Sequence, residues 1–492
     1  PWLAIAFTYL VLVASFGLTK FFGTQFFPPA ERNQMLIDIE LPATASLTNT
    51  RSTAQAVMAV LQEQPEIVST AVFTGGTAPR FYYNVEPKAP ANNLAQILIN
   101  TRAQDDVPPL LVKLRHELDT KIVGARCIVK QLEQGPPIGP PIQVRLSGGN
   151  LDTLRGLADQ AAAAVRAAGG YHVSDDLGYR TPNLAIDIDQ DRANSLGITN
   201  EQIGQISQSA FGGIRITDLR EGDHIIPVVV RLRAEERNEA EKIRALYIHS
   251  ATKEPVPFAS FARIKLEPSY ALIPHYDQLR TVTGQSYAPA GELSSRIVGR
   301  ARAALDAIKL PPGYRLEIAG EEKELKMGQD QMGGVMMVSL TLIALAMILQ
   351  FNSVAKAAVV LLTVPLGLIG AFVGLAVTHS PLGFMALLGI VSLAGVIVSH
   401  IIVLSDFIEE ARAEGMPLEQ ALVQGGLVRL RAILVTVLAT VGGLLPLFYT
   451  GGALWHPLTA VHIFGLLLAT VQTLILLPVL YFVFCSRLNW IK

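Results

Sequence analysis

Residues 354–377 read VAKAAVVLLTVPLGLIGAFVGLAV and carry a single charged side chain, that of Lys356. An α-helix needs about 20 predominantly apolar residues to cross a hydrocarbon core about 30 Å thick, so this stretch is long enough to span a membrane. Five other stretches share this character, and the six occupy residues 2–19, 332–350, 354–377, 383–408, 431–450 and 457–484. The sequence therefore predicts an α-helical membrane bundle of six transmembrane helices.

Polar residues are concentrated between the first and second of these spans, where they form one large extramembrane head. The chain has 492 residues, of which 50% are hydrophobic, and its 40 basic and 41 acidic residues nearly cancel. This balance gives no indication of nucleic-acid binding. The two cysteines, Cys127 and Cys485, are expected to lie far apart and imply no disulfide framework. Because the chain enters a span directly after Pro1, we expect it to be a fragment whose upstream part is missing.

Basic residues in the connecting segments predict the orientation of the spans. Lys356 follows the second span, and the predicted long loop between the fourth and fifth spans carries Arg412, Arg429 and Arg431. The two other short loops, 378–382 and 450–456, contain no lysine or arginine. Basic loops of membrane proteins preferentially face the cytoplasm. The head is therefore predicted to face the periplasmic side.

The head contains two strand–helix units. Strands are predicted at 35–41, 67–73, 81–85 and 126–132, with helices at 50–63 and 110–120, which is the βαββαβ order of a ferredoxin-like unit. A proline- and glycine-rich segment at 135–141 ends it. The second unit is split into strand 142–146, helix 151–168 and strand 171–176, then strand 280–285, helix 292–308 and strand 314–319. An insertion separates its halves, with a strand at 184–189, short helices and a strand pair near 214–218 and 225–232.

Ionisable and hydroxyl side chains within the spans are candidates for proton transfer. Ser392, Ser399 and Asp406 recur at steps of seven residues and share one face of the fourth span, with His400 beside them. Arg429, Thr436 and Gly443 follow the same spacing in the fifth span, and His462, Gly465, Ala469 and Gln472 share a face of the sixth. An ionisable group inside a membrane is costly and marks a functional site by default. Polar packing between helices, or a place at the membrane interface for Asp406 and Arg429, remains the alternative reading.

Several motifs resemble those of the C-terminal half of resistance–nodulation–division (RND) efflux transporters. They are FFPPAE at 26–31, IDIELP at 37–42, LAIDIDQDRANSLGI at 184–198, VPLGLIG at 364–370, the segment 395–406, RLRAILVT at 429–436 and GLLPL at 443–447. The resemblance extends over essentially the whole chain. It implies a head of two ferredoxin-like porter subdomains, at 21–138 and at 139–180 with 280–325, and an inserted docking subdomain at 181–279. The flanking parts, 1–20 and 326–492, would be one and five transmembrane helices.

The resemblance also implies a biological setting. The family forms homotrimers in the bacterial inner membrane, exchanges protons for substrate, and works with a periplasmic adaptor and an outer-membrane channel. No cofactor is implied. Ser399 and His400 occupy positions where the family often has Lys-Asn or Asn-Asn, Thr436 matches a relay hydroxyl, and Arg429 matches a basic residue at the cytoplasmic end of the proton path. The family's paired aspartates belong to the N-terminal half, which this chain lacks.

The predicted substrates are amphiphilic organic compounds. The resemblance places a switch loop at 74–79, and Phe73, Phe81 and Tyr83 flank it; the alternative is that these aromatic residues belong to the core of the strands. Only Met35 and Met58 precede Met327 in the head, which disfavours a soft-metal exporter. A soft-metal-exporting RND subclass and a protein-translocation motor nevertheless remain alternatives, as does a sensor or scaffold. The sequence offers no motif that indicates an enzyme.

Overall fold

The computed structural model describes residues 1–237, 246–250, 252, 254–487 and 490. The chain divides into two compact units. The larger unit comprises Pro1–Asp176 and Pro274–Lys492, and the smaller comprises Leu177–Ile273. The larger unit therefore contains all the apolar spans and most of the head, and the smaller one is an insertion between two of its strands.

Six helices of the described residues are long and apolar enough to cross a membrane, which confirms the predicted number. They are span 1 at Trp2–Lys20, span 2 at Glu321–Phe351, span 3 at Val354–Val377, span 4 at Phe384–Ala413, span 5 at Leu418–Thr450 and span 6 at Gly452–Ser486. Five of them exceed the about 20 residues that a bilayer requires, and spans 2, 4, 5 and 6 have 30 residues or more. Span 1 ends in a 3₁₀ turn, Phe16–Lys20.

The prediction of a long basic loop between spans 4 and 5 is wrong. Arg412 lies in the last turn of span 4, and Arg429 and Arg431 lie well inside the helix of span 5. Only residues 414–417 connect the two helices. The intervening sequence consists largely of Ala, Leu, Glu, Gln and Arg, which favour helix. The backbone N–H and C=O groups of a helix bond to each other, so a helix is compatible with both water and lipid. The helices therefore continue past the ends of the apolar runs from which the boundaries were predicted.

Span 3 is interrupted at Pro365 and packs closely on span 6. Proline lacks the N–H group that continues an α-helix, and a 3₁₀ turn at Val364–Leu366 separates the two helical halves. Beyond it, Gly370 faces the backbone of span 6: a Cβ atom at Gly370 would lie 2.5 Å from the carbonyl oxygen of Phe464 and 2.7 Å from the Cα of Gly465. The GxxxG motif thus allows two helix backbones to approach without side chains between them.

The first sheet of the head has the strand order β2-β3-β1-β4, in which all neighbours are antiparallel. Its strands are β1 at Gln34–Glu40, β2 at Ile67–Thr74, β3 at Leu94–Thr101 and β4 at Arg126–Gln131. Helices Leu47–Gln62 and Val107–Lys121 cover one face. The first of them begins where the Ser46 hydroxyl accepts a hydrogen bond from the Asn49 amide. Met35, Ile37 and Ile39 point into the core beneath these helices, so Leu36, Asp38 and Glu40 point to the opposite face.

The strand predicted at 81–85 is wrong, and the strand between β1 and β2 is β3, at Leu94–Thr101. Residues 81–85 lie in the irregular segment between β2 and β3. Prolines at 79, 87 and 90 surround them, and a proline cannot donate a hydrogen bond to a sheet ladder. Residues 94–101 contain no proline, and they include Ala95, Ile97 and Ile99, which are fully buried. Because these side chains are buried, residues 94–101 are favoured over 81–85 as an inner strand of the sheet. This strand, β3, pairs with β2 on one side and with β1 on the other.

The second sheet combines strands from before and after the insertion. Strand β14 at Leu279–Tyr287 pairs with β5 at Ile142–Ser147, with β6 at Tyr171–Asp175 and with the short β13 at His275–Tyr276, and β15 at Arg315–Gly320 pairs with β5. Helices Leu151–Ala167 and Ser294–Asp306 accompany this sheet. Asn150 caps the first of them by accepting hydrogen bonds from the amides of Asp152 and Thr153.

The smaller unit is built on antiparallel strand pairs and short helices. Its elements are β7 at Thr181–Ile188 paired with β12 at Ala262–Ser269, β8 at Ile214–Glu221 paired with β9 at His224–Val230, β10 at Tyr247–His249 paired with β11 at Pro255–Pro257, and helices Gln190–Ser195, Asn200–Phe211 and Ala234–Arg237. Its small core contains Ile203, Phe258 and Phe261. The helix at Asn200–Phe211 starts with a capping box in which Thr199 and Gln202 bond each other's amides.

Candidate functional site

His400 lies at a small cavity between spans 4, 5 and 6. The cavity measures about 10 Å³ and is lined by Ile397, Ile433, Thr470 and Thr473, among others. This volume is close to the smallest that holds one water molecule. The Thr470 hydroxyl, however, already donates to the Leu466 carbonyl oxygen at 2.6 Å. His400 is therefore the titratable side chain that the described part of the bundle places beside this cavity.

The hydroxyl groups predicted to assist His400 bond to their own helices. The Ser399 hydroxyl donates to the Val396 carbonyl oxygen at 2.7 Å, and the Thr436 hydroxyl donates to that of Ile433 at 2.9 Å. Both residues are exposed. The structure thus places Ser399, His400 and Thr436 on neighbouring helices without joining them in one hydrogen-bonded network among the described residues.

Asp406 and Arg429 lie toward the ends of spans 4 and 5 that are predicted to face the cytoplasm, and they do not pair with each other. Asp406 is exposed and has no ion pair among the described residues. The Arg429 guanidinium lies over the Phe407 ring, 5.2 Å from its centroid, and its Nε atom is buried without a hydrogen bond. A buried guanidinium N–H without an acceptor is costly, which makes Arg429 an incompletely satisfied group in the structure of this chain alone.

The seven-residue faces of spans 4 and 5 are open to the surroundings. Ser399 and Asp406 are exposed on span 4, as are Thr436 and Gly443 on span 5, whereas Arg429 of the same face is half-buried. Polar groups on a membrane helix normally face the interior of a bundle or a water-filled space, because contact with lipid leaves them without partners. These two faces therefore have the character of a helix–helix interface that the present chain leaves uncovered.

The sequence did not predict a hydrogen-bonded pair of Ser392 and His462. The His462 Nε2 atom lies 3.2 Å from the Ser392 hydroxyl, and its Nδ1 atom lies 3.1 Å from the Leu458 carbonyl oxygen. A carbonyl only accepts, so Nδ1 carries the proton and Nε2 accepts from the hydroxyl. The sequence places each residue on a polar face of its own helix. The periodicity of one helix, however, does not indicate which other helix its polar face contacts.

Charged side chains form a cluster at the ends of spans 3 and 4. Lys356 and Glu409 form an ion pair, and the Arg412 guanidinium lies 3.4 Å from the Glu409 carboxylate. Arg412 Nη1 is also 4.0 Å from the Cys485 sulfur at the end of span 6. Lys356 and Arg412 thus both contact the Glu409 carboxylate, which joins the ends of spans 3 and 4.

The aromatic residues predicted to bind substrate line neither of the two large cavities of the head. Phe73 is half-buried near the end of β2, opposite Gln96 of β3. Phe81 is half-buried in the following segment, and Tyr83 is 52% exposed, with its hydroxyl accepting a hydrogen bond from the Gly135 amide at 2.8 Å.

The larger cavity lies where the start of the head meets the beginning of span 2. This Glu133 cavity has a volume of about 520 Å³, and its walls include Phe26, Phe27, Pro108, Glu133, Tyr287 and Glu321. Burial raises the pKa of Glu133 to about 7; Lys130 opposes this shift, and the neighbouring Glu321 adds to it. The Glu321 Oε1 atom accepts a hydrogen bond from the Phe26 amide at 2.7 Å.

The second cavity lies on the face of the first sheet opposite its two helices, and Gln285 and Tyr287 of the second sheet also line it. This Asp38 cavity measures about 450 Å³ and contains a network of charged side chains. The Asp38 carboxylate is 2.8 Å from Lys130 Nζ and 3.4 Å from Lys88 Nζ, and it accepts a hydrogen bond from the Gln96 amide at 2.6 Å. Glu40 pairs with Lys88 at 2.8 Å and also with Arg126. Burial alone would raise the pKa of Asp38, but the two lysines outweigh it and lower the pKa to about 2.

Comparison with known proteins identifies similar sequences along the whole chain. The sequence profile ACR_tran, described as the AcrB/AcrD/AcrF family, matches residues 1–485. The multidrug resistance protein MdtC of Erwinia amylovora is 26% identical over 488 residues, which cover 96% of this chain and 46% of MdtC. The cobalt-zinc-cadmium resistance protein CzcA of Cupriavidus metallidurans is 27% identical over 350 residues, which cover 69% of this chain and 33% of CzcA.

An uncharacterized transporter of Haemophilus influenzae is 28% identical over 362 residues, which cover 71% of this chain and 34% of that protein. The crystal structure of a heavy metal efflux pump superposes with a TM-score of 0.75 at 22% identity, covering 98% of this chain and 51% of that one. At this identity the superposition establishes the fold alone. The chain spans about half the length, or less, of the proteins that it matches.

Proposed function

Because this chain belongs to the AcrB/AcrD/AcrF family of RND permeases, we propose that it is one half of a proton-driven exporter in the bacterial inner membrane. In this proposal the head lies in the periplasm, and protons move inward through the bundle as substrate moves outward. The proposed assembly is a homotrimer that works with a periplasmic adaptor and an outer-membrane channel. The role of this chain is transport, with no enzymatic step.

The uncovered polar faces of spans 4 and 5 are the observation that carries this proposal. Ser399 and Asp406 on one helix and Thr436 on the other point away from the bundle that this chain forms. A second bundle that covered them would create a polar interior next to His400, in which hydroxyl groups, water and imidazole can relay protons. We propose that this second bundle supplies the carboxylates of the path, and that Arg429 finds its missing hydrogen-bond acceptor there.

The two sheets of the head are proposed to be ferredoxin-like porter subdomains, at 21–138 and at 139–180 with 280–325. The inserted segment 181–279 is proposed as the docking subdomain. The order β2-β3-β1-β4, with two helices on one face, supports the first assignment. Rearrangement of the two porter subdomains would open and close the cavities between their strands, and Phe73, Phe81 and Tyr83 would border this moving region.

Amphiphilic organic compounds are the substrate class that we favour. The Glu133 cavity offers phenylalanine, tyrosine and proline walls and enough volume for a drug-sized molecule. The two methionine side chains of the head lie in its hydrophobic core rather than at a cavity: Met35 is fully buried, and Met58 packs against the same core. Relatives named for multidrug and for cobalt-zinc-cadmium resistance both match this chain, so metal export is the second candidate.

Transport by inside-out membrane vesicles would test the proposal. We expect an imposed proton gradient to drive uptake of rhodamine 6G, and Zn²⁺ or Co²⁺ uptake in its place would establish the second candidate. We expect the substitution His400→Ala to lower the initial rate by about tenfold or more, because a relay without its imidazole must transfer protons through water alone. His116→Ala, on the exposed surface of a head helix, serves as the control. An unchanged rate in His400→Ala, at equal amounts of protein in the membrane, would remove His400 from the mechanism.

A further inference from the structure

The Glu133 carboxyl faces the Glu133 cavity without a partner of its own. It is enclosed by protein atoms, while part of the residue stays accessible from the cavity. Among the described residues, no donor makes a hydrogen bond to this carboxyl and no basic side chain forms an ion pair with it. A nearly buried carboxyl in this position normally needs a partner, because desolvation of its charge is otherwise uncompensated.

The basic side chains that line the same cavity, those of Lys130 and Arg115, interact with groups other than Glu133. Lys130 Nζ lies 2.8 Å from the Asp38 carboxylate. The Arg115 guanidinium donates to the carbonyl oxygens of Val129 and Ala288, each at 3.1 Å, and it also lies over the Tyr171 ring. These contacts leave no basic side chain of the cavity in contact with Glu133.

The remaining titratable groups make the cavity acidic. Glu292 is paired with Arg300 at 2.5 Å, but Glu321 receives its hydrogen bond from the neutral amide of Phe26. Tyr287 stays neutral, because burial raises the pKa of its hydroxyl. Glu133 and Glu321 are therefore two carboxyls without a cationic contact, placed among the aromatic and proline side chains that form the apolar walls.

We propose that the Glu133 cavity binds the cationic group of an amphiphilic substrate, with the Glu133 carboxylate as its ion partner. The apolar part of the ligand would lie against Phe26, Phe27 and Tyr287, which supply contact area and ring faces for a cation. Glu321 would add a second negative charge without displacing its bond to Phe26. The proposal rests on the proposed function, since it assigns a chemical class to the substrate of the exporter.

The site is sensitive to pH near neutrality. With its pKa raised to about 7, Glu133 is largely protonated at pH 6 and largely ionised at pH 8. Only the ionised form attracts a cation, so binding strengthens as the pH rises through 7 and weakens as it falls. A bound cation in turn favours ionisation of Glu133, so binding near pH 7 releases a proton.

Fluorescence polarisation of rhodamine 6G, a permanent cation, on the purified protein in lipid nanodiscs tests the proposal. We expect Glu133→Gln to raise the dissociation constant at pH 8 by about tenfold, which corresponds to about 1.4 kcal/mol. We also expect it to abolish the weakening between pH 8 and pH 6. Glu117→Gln, the same substitution at the surface of a neighbouring head helix, should bind as the unchanged protein does. The neutral probe N-phenyl-1-naphthylamine should bind Glu133→Gln and the unchanged protein equally.

Equal affinity of Glu133→Gln and the unchanged protein for rhodamine 6G would overturn the proposal, as would pH-independent binding by the unchanged protein. Glu133→Asp, which keeps the charge, should retain most of the affinity and guards against a loss caused by misfolding. The vesicle experiment separates the two levels of argument. Transport that does not change in Glu133→Gln disproves this site alone, whereas rhodamine binding without any proton-driven transport disproves the proposed function alone.

Discussion

Replacing Lys130 by methionine should lower the free energy of unfolding of the first sheet by about 2–3 kcal/mol. Lys130 Nζ lies 2.8 Å from the Asp38 carboxylate, whose side chain is only 3% exposed. Methionine would keep most of the apolar stem of lysine but would leave a buried carboxylate with less compensation. Lys88, at 3.4 Å and with a side chain that is 41% exposed, would recover only part of the loss. Removal of one member of a buried ion pair costs more than the net value of the pair, because the other charge remains.

Alkylation of Cys127 in increasing urea is a suitable measurement. This thiol lies in β4 and is buried, so it reacts only when the first sheet opens, and mass spectrometry distinguishes it from Cys485. Lys121→Met is the matched control, because Lys121 belongs to the same subdomain but forms an exposed pair with Glu117. It should change the stability of the sheet much less than Lys130→Met does, because water screens the charge of an exposed side chain. If the two methionine variants react alike, the buried network does not stabilise the sheet as we infer.

The same network predicts a direction for the pH dependence of stability. The pKa of Asp38 is lowered to about 2 in the folded protein from its ordinary value of 3.8. Its ionised form therefore contributes stability above about pH 4, and this contribution is lost as the pH falls through about 2. The difference between the unchanged protein and Lys130→Met should accordingly shrink on acidification. Combining Lys130→Met with Asp38→Asn should restore part of the lost stability at neutral pH, since no buried charge then remains unpaired.

Replacing Gly370 by alanine should destabilise the membrane bundle by about 2–3 kcal/mol. The added Cβ atom would meet the carbonyl oxygen of Phe464 and the Cα atom of Gly465 at distances well inside van der Waals contact. Both are backbone atoms of span 6, which cannot rotate aside as a side chain can. Spans 3 and 6 would have to separate, and they would lose contacts along their whole interface.

Thermal unfolding in detergent, followed by the loss of monodisperse protein on size exclusion, measures this effect. Gly334→Ala is the control, because a Cβ at this position in span 2 would meet no atom within 4 Å. Alanine is the better helix former, so this variant should be as stable as the unchanged protein or slightly more so. A Gly370→Ala variant that melts at the same temperature as Gly334→Ala would show that the close approach of spans 3 and 6 is not required.

Sequence reasoning succeeded where one local property decides the structure. The six spans follow from the length of the apolar runs, and most strands and helices of the head follow from periods of 2 and 3.6 residues. It failed at 81–85, where an aromatic run with strand-like composition competed with residues 94–101 for the central position of a sheet. It also failed between spans 4 and 5, where helix-forming polar residues continue two membrane helices into water.

At the candidate sites, too, the sequence indicated some features and not others. Periodicity identified His400 and the seven-residue faces of spans 4 and 5 as chemically notable. It could not indicate that Ser392 pairs with His462, or that Glu133 faces a cavity without a partner. The partners of Asp38 are separated from it by 58 residues for Gln96 and by 92 for Lys130. No periodic pattern connects positions that far apart.

The amino-acid sequence by itself determined that this protein has six helices long and apolar enough to cross a membrane, with a large α+β head between the first and the second. A run of about 20 apolar residues has one stable form in lipid, because only a helix satisfies its own backbone there. Tertiary structure alone decided which polar groups neutralise one another and which are left without partners. The antiparallel order β2-β3-β1-β4 brings Asp38, Gln96 and Lys130 together, whereas the junction of the head with span 2 leaves Glu133 without an ion pair among the described residues. Such pairing depends on distances of a few ångströms between segments that only packing brings into contact.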